Sequence, residues 1–139
     1  NGKRIHRTAR PDPRELDHRG HPTFLWHHSR VLGKNIESGR IRGYIALSGA
    51  HMVGYCFGDL KTGEILVLAV LPSHECQGIG QRLLALTVEV LKDSGYIRLF
   101  LGCSPDPKVR SYGFYRHLGW QSTGALDTHG DEILEFACR

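Results

Sequence analysis

At 139 residues, with a formal net charge of +4 and 40% hydrophobic side chains, the chain is sized for one domain spanning residues 1–139. Such a domain buries about two thirds of its unfolded surface in a single core. The charge is too small and too scattered for a nucleic-acid stripe, no apolar run approaches the roughly 18 residues of a membrane span, and no signal-like N-terminus is present. Cys56, Cys76, Cys103 and Cys138 form no CxxC pair, which argues against a zinc or disulfide framework and for a reducing, cytoplasmic compartment. The start at Asn1 rather than Met leaves a leader open.

From the N-terminus, residues 3–9 alternate weakly (Ile5, then Arg7 and Ala9) as an edge strand. Asp12-Pro13-Arg14-Glu15 starts a helix, with Asp as N-cap, Pro in the first turn and Glu completing a capping box, and Gly20 and Pro22 interrupt it. Thr23 caps a second helix, with Leu25, Leu32 and Ile36 on one side and Gly39 as its stop. His18, His21, His27 and His28 crowd this stretch. Adjacent His27 and His28 face different sides of a helix, and no HExxH or paired Cys accompanies them, so no metal site is expected.

Residues Arg42 to Leu47 and Met52 to Gly58 read as strands joined by a turn at Ser48-Gly49-Ala50. Lys61-Thr62-Gly63 leads into a strand from Glu64 to Leu71, which stops at Pro72. A polar loop then reaches Gly78 and Gly80, which open a helix with Ile79, Leu83, Leu86, Val90 and Leu91 on one face and Gly95 as its stop. That helix should run about 16 residues, roughly 24 Å. Tyr96 to Cys103 alternates as a strand, Ser104-Pro105-Asp106-Pro107 makes a stiff turn, and Lys108 to Leu118 is helical up to Gly119. Trp120 to Leu126 and Glu132 to Cys138 close as an antiparallel hairpin. This order predicts an α/β (α+β) domain, a mixed sheet with helices on its faces.

Glycines at a helix start let the backbone approach a ligand closely, and the first-turn N–H groups have no partner within the helix. Such an end is an anion site, where each phosphate charge gains roughly 0.3 to 1 kcal/mol from the helix dipole. A pyrophosphate would fit. A Walker loop is excluded because Gly80 is followed by Gln81 and Arg82, and a dinucleotide fingerprint because Leu83 stands where the third glycine belongs. A strand-turn-helix without a ligand is the plain alternative.

The stretch Glu75-Cys76-Gln77-Gly78-Ile79-Gly80, after Leu68-Ala69-Val70, resembles the acetyl-CoA loop of the GNAT superfamily of N-acetyltransferases. That loop reads Gln/Arg-x-x-Gly-x-Gly/Ala after a strand ending in Ala-Val. Phe114-Tyr115-Arg116-His117-Leu118-Gly119-Trp120 resembles the family's Phe-Tyr-x-x-x-Gly-Phe block. The likeness covers about the whole chain, firmly from Glu64 to Trp120. It implies a mostly antiparallel sheet of six to seven strands with about four helices, and a helical hairpin after the first strand as one wall of an acceptor cleft. It also implies acetyl-CoA as cofactor, held by the Leu68, Ala69 and Val70 backbone and by Cys76, Gln77, Gly78, Ile79, Gly80 and Gln81.

The resemblance further assigns roles. Tyr115 corresponds to the tyrosine that protonates the departing CoA thiolate, with Tyr112 as fallback. In the histone-acetylating branch a strand Glu six residues before the valine serves as base, which is Glu64 here. The period of two puts Glu64, Leu66, Leu68 and Val70 on one face. A strand-end carboxylate in water is the competing reading of Glu64. Three positions depart from the family pattern. Glu75 replaces Gln or Arg, so it must point away from a pyrophosphate or pair with Arg82. Lys108 replaces a common Asn and offers a cation to a CoA phosphate. Cys103 stands where the ribosomal-protein-acetylating branch has a Glu base, which disfavours that branch; Cys103 itself reads as a buried strand-end thiol.

The expected activity is direct acetyl transfer to a primary amine of a small molecule, with a protein N-terminus or lysine as the second acceptor class. A non-catalytic acyl-CoA-binding module is the rival from another class. Many members of the family dimerise through late strands, so the resemblance also implies that Glu132 to Cys138 could serve a homodimer.

Overall fold

The computed structural model describes the backbone of residues 25–30 and the whole of residues 39–138. The strand expected over 3–9 and the helix expected from Asp12 lie outside the described residues, as do positions 31–38 of the second helix. Seven strands form one sheet: β1 (Leu25–Arg30), β2 (Ile41–Ser48), β3 (His51–Asp59), β4 (Glu64–Val70), β5 (Arg98–Cys103), β6 (Gln121–Leu126) and β7 (Glu132–Ala137). Among the described residues two α-helices, α1 (Ile79–Asp93) and α2 (Arg110–His117), accompany them, with a 3-10 turn at Pro72–His74. The strand order is β1-β2-β3-β4-β5-β7-β6. This is the expected mixed, mostly antiparallel sheet.

One expected element is wrong. Leu25 to Arg30 is not the start of a helix but a strand, antiparallel to β2, with Leu25 opposite Leu47 and Arg30 opposite Arg42. The spacing of Leu25, Leu32 and Ile36 fits a helical period, yet the β2 edge offers a full ladder, and that non-local pairing overrides local preference. The dimer expectation also shifts. β7 lies between β5 and β6, so its edges are both paired, and among the described residues β6 is the outer strand at that end of the sheet.

The core is built where α1 lies on β2, β3 and β4. Ile79, Leu83, Leu84, Thr87 and Leu91 are the buried face of α1, so the stripe is rotated slightly from the expected one and Leu86 and Val90 flank it half-buried. The rotation follows from the surface below. Gly54 and Gly58 on β3 present no side chain; a Cβ at Gly58 would lie 2.9 Å from Leu91 Cδ1 and 3.2 Å from Thr87 Cγ2. The helix therefore settles close to the strand, and Thr87 meets its polar needs by donating to Leu83 O at 2.9 Å, a bond to the preceding turn.

Two irregularities shape the middle of the sheet. β4 and β5, the parallel neighbours, share a single registered pair, Glu64 with Phe100, at the first residue of β4. Past that pair the two strands are not laddered to each other, and the sheet opens. On its other side β4 carries a bulge. Val67 pairs with Phe57 but Ile65 pairs with Gly58, which leaves Leu66 as the extra residue.

Candidate active site

The end of β4 borders a cleft of about 420 Å³ whose walls come from three segments. Leu68 and Val70 supply the strand wall. His74, Glu75, Cys76, Gly78, Gly80 and Gln81 supply the loop and the start of α1. Arg110, Ser111, Phe114 and Tyr115 supply α2. The glycine loop and the Tyr115 block, recognised as separate motifs, thus share one cavity. A larger hollow of about 810 Å³ between α1 and β7, walled by Leu84, Val88, Trp120 and Phe136, shares only Gln81 with the expected site residues. The smaller cleft is the one that joins the glycine loop to Tyr115.

The loop is shaped for close approach. Gly78 caps α1 with φ 81°, a left-handed conformation that favours glycine, and a Cβ there would meet no atom within 4 Å. Cys76 also has positive φ, at 65°, so two left-handed residues curl the turn. The N–H groups of the first turn of α1 have no acceptor within the helix and face the end where the cleft begins. At Gly80 a Cβ would stand 3.5 Å from both Phe114 and Val70, ordinary contact, which matches the Gly/Ala choice in the family pattern.

Tyr115 is held by aromatic packing. Its ring meets Phe114 edge-on at 5.2 Å and Trp120 at 6.1 Å and 70°, and Trp120 leans on Phe136 at 5.2 Å. Burial holds the phenol well above its ordinary pKa, with Cys56 and Cys103 adding to the shift, so it is protonated at neutral pH. Tyr112 stays outside the cleft lining and lies beneath the Arg116 guanidinium, 3.7 Å from the ring centroid. Cys103 is buried as expected, and burial raises its thiol pKa.

Glu64 stands elsewhere. The bulge at Leu66 breaks the alternation: Ile65, Leu68 and Val70 pair with Gly58, Cys56 and Gly54 on the α1 face, whereas Glu64 pairs with Asp59 on the opposite face. The expectation that Glu64, Leu66, Leu68 and Val70 share a face is therefore corrected. Ala69 also faces away. Glu64 has a raised pKa, chiefly from burial and then from the carboxylates Asp59 and Asp127. Asp59 itself is pulled below its ordinary value by Arg40, which donates to both its oxygens at 2.9 and 2.8 Å.

Other expected residues fall unevenly. Gln77 does not line the cleft, and the Ile79 side chain is in the core, leaving its N–H as the group available to a ligand. Lys108 is exposed and does not line the cleft; its N–H closes a turn on Asp106 Oδ1 at 2.9 Å. The cation in the cleft is Arg110, two residues on, which sequence reasoning missed. It donates to Glu75 Oε1 at 2.7 Å, so Glu75 finds its cation there.

Against known proteins, a family model described as "Acetyltransferase (GNAT) family" matches residues 3–120. The chain belongs to the GNAT acetyltransferase family. Acetyl-CoA is the donor this family uses, and the enzymes of the family are acyltransferases. No curated protein matches the chain by sequence. Among solved structures, the chain is similar to PaiA N-acetyltransferase from Thermoplasma acidophilum in complex with coenzyme A, with TM-score 0.65 and 22% identity over 74% of this chain. This GNAT chain spans 65% of the length of that protein. It is also similar to an aminoglycoside 6'-N-acetyltransferase complexed with coenzyme A, with TM-score 0.63 and 18% identity over 75% of this chain and 78% of the other. Nourseothricin acetyltransferase gives TM-score 0.63 and 18% identity over 73% and 68%. At these identities the likeness is one of fold.

Proposed function

We propose that this GNAT chain is an acetyl-CoA-dependent N-acetyltransferase that passes an acetyl group directly to the primary amine of a small molecule. One observation carries the reading: the end of β4 at Leu68 and Val70, the glycine loop and Tyr115 line the same cleft. Acetyl-CoA, when bound, supplies an acetyl group activated as a thioester. Its phosphates suit the first-turn amides from Ile79 to Gln81, and the unpaired edge of β4 at Leu68 to Val70 suits the amide-bearing arm.

The chain's own groups then divide the proton work. Tyr115, kept protonated by burial, donates to the sulfur as the carbon–sulfur bond breaks. Glu64, on the far face, takes the proton from the attacking amine directly or through water. Its raised pKa is the direction a general base near neutrality needs. Placing acid and base on opposite faces of a split sheet suits a transfer in which the amine arrives from one side and the thiolate departs to the other.

A protein N-terminus or lysine remains the alternative acceptor, and the position of Glu64 outside the cleft lining favours keeping a non-catalytic acyl-CoA-binding module as the second reading. The experiment is thiol release from acetyl-CoA with panels of small amines and of peptides. Release with small amines supports the first reading, release with peptides alone the alternative, and binding without release the module. Among the described residues no helix is long and apolar enough to cross a membrane. We expect any homodimer to pair through β6, and a monomer by light scattering at micromolar concentration would remove that expectation.

A further inference from the structure

The phosphate end of the cleft is spanned by a contact that the acetyl-transfer reading leaves unused. Arg110, the first residue of α2, reaches the loop after β4, where Nη1 donates to Glu75 Oε1 at 2.7 Å and Nη2 to Cys76 Sγ at 2.9 Å. Arg110, Glu75 and Cys76 all line the cavity that contains Gly78 and Gly80. The cleft thus carries, at the mouth of its glycine loop, one cation of the kind that grips phosphate and one anion that repels it.

The pair is exchangeable. Arg110 and Glu75 side chains are 55% and 38% exposed, so the bridge works in high dielectric and contributes little to stability. A guanidinium fork on phosphate oxygens is a stronger, geometrically matched contact. Glu75, by contrast, has no favourable place beside a diphosphate once its cation is gone.

We propose that Arg110 is a phosphate-binding residue held by Glu75 as a latch: the carboxylate keeps the guanidinium in the free site, and the diphosphate of CoA displaces it. This rests on the reading that the cleft takes CoA. Glu75 is then not a tolerated misfit in the loop pattern. It lowers CoA affinity by an amount that depends on Arg110, and it holds α2 to the β4–α1 loop when the site is empty.

The test is calorimetric titration of CoA, 3'-dephospho-CoA and pantetheine into the wild type, Glu75→Gln, Arg110→Gln, Arg110→Lys and the double Gln variant. Glu75→Gln should tighten CoA binding several-fold, and Arg110→Gln should weaken it about tenfold or more. Arg110→Lys should fall between, because it keeps the charge and loses the fork. The gain from Glu75→Gln should shrink when Arg110 is absent, since breaking the latch then no longer contributes. 3'-Dephospho-CoA should show the same pattern, and pantetheine, which has no phosphate, should bind all five proteins alike. If CoA binds but Arg110→Gln leaves its affinity unchanged, or weakens pantetheine equally, the latch is overturned and the cofactor reading stands. If the wild type binds no CoA, the cofactor reading falls and the latch with it.

Discussion

Glu64 and Leu68, four positions apart on one strand, emerge on opposite faces of the sheet because Leu66 is bulged out of the ladder between them. An unbroken strand would put both on one face. The bulge leaves Leu68 and Val70 on the cleft side and sends the carboxylate to the side where burial, and then Asp59 and Asp127, raise its pKa. The functional prediction for Glu64 follows from that placement.

Ionised Glu64 is the basic form, and burial with two neighbouring carboxylates raises its pKa from the ordinary value. The rate of acetylation should therefore fall as pH falls through that raised value, and Glu64→Gln should remove this acid limb while lowering the plateau about 10²-fold or more. The same shift has a stability sign. A folded-state pKa above the unfolded one means stability is complete below the unfolded value and declines as pH rises through the folded one. Glu64→Gln should then raise the thermal midpoint at pH 7 and leave it unchanged near pH 3. Equal midpoint differences at both pH values would contradict the assignment.

Tyr115→Phe keeps the ring that packs on Phe114 and Trp120 and removes only the hydroxyl. We expect kcat to drop about 10² to 10⁴-fold with acetyl-CoA affinity and thermal midpoint nearly unchanged. A parallel loss of affinity, or no loss of rate, would take Tyr115 out of the acid role.

Gly58→Ala tests how α1 is seated. The added Cβ would lie 2.9 Å from Leu91 Cδ1 in a core where Leu91 is fully buried. Overpacking of this kind costs about 1 to 3 kcal/mol. The midpoint measured by differential scanning calorimetry should fall by roughly 4 to 12 °C.

Much of this fold was legible from local signals. Gly78 and Gly95 bracketed α1, the β2–β3 hairpin announced itself at Ser48-Gly49-Ala50, and β5, α2 and the last hairpin lie within a few residues of where alternation and glycine stops put them. What escaped depends on partners distant in sequence. Leu25 to Arg30 begins the stretch whose Leu25, Leu32 and Ile36 follow a helical spacing, and it becomes a strand because residues 42–47 are there to pair with it. The Leu66 bulge exists only in the register with β3. Arg110 meets Glu75 across 35 positions, and no spacing rule points from one to the other, whereas Lys108 drew notice only for the asparagine it replaces.

The cleft of Leu68, Gly78, Gly80 and Tyr115 should bind acetyl-CoA. The most direct measurement is the thermal midpoint with and without acetyl-CoA at about 100 times its dissociation constant. Specific binding adds about 2.7 kcal/mol, which should move the midpoint by about 5 to 10 °C. An unchanged midpoint, with millimolar acetyl-CoA present, would contradict the account at its centre.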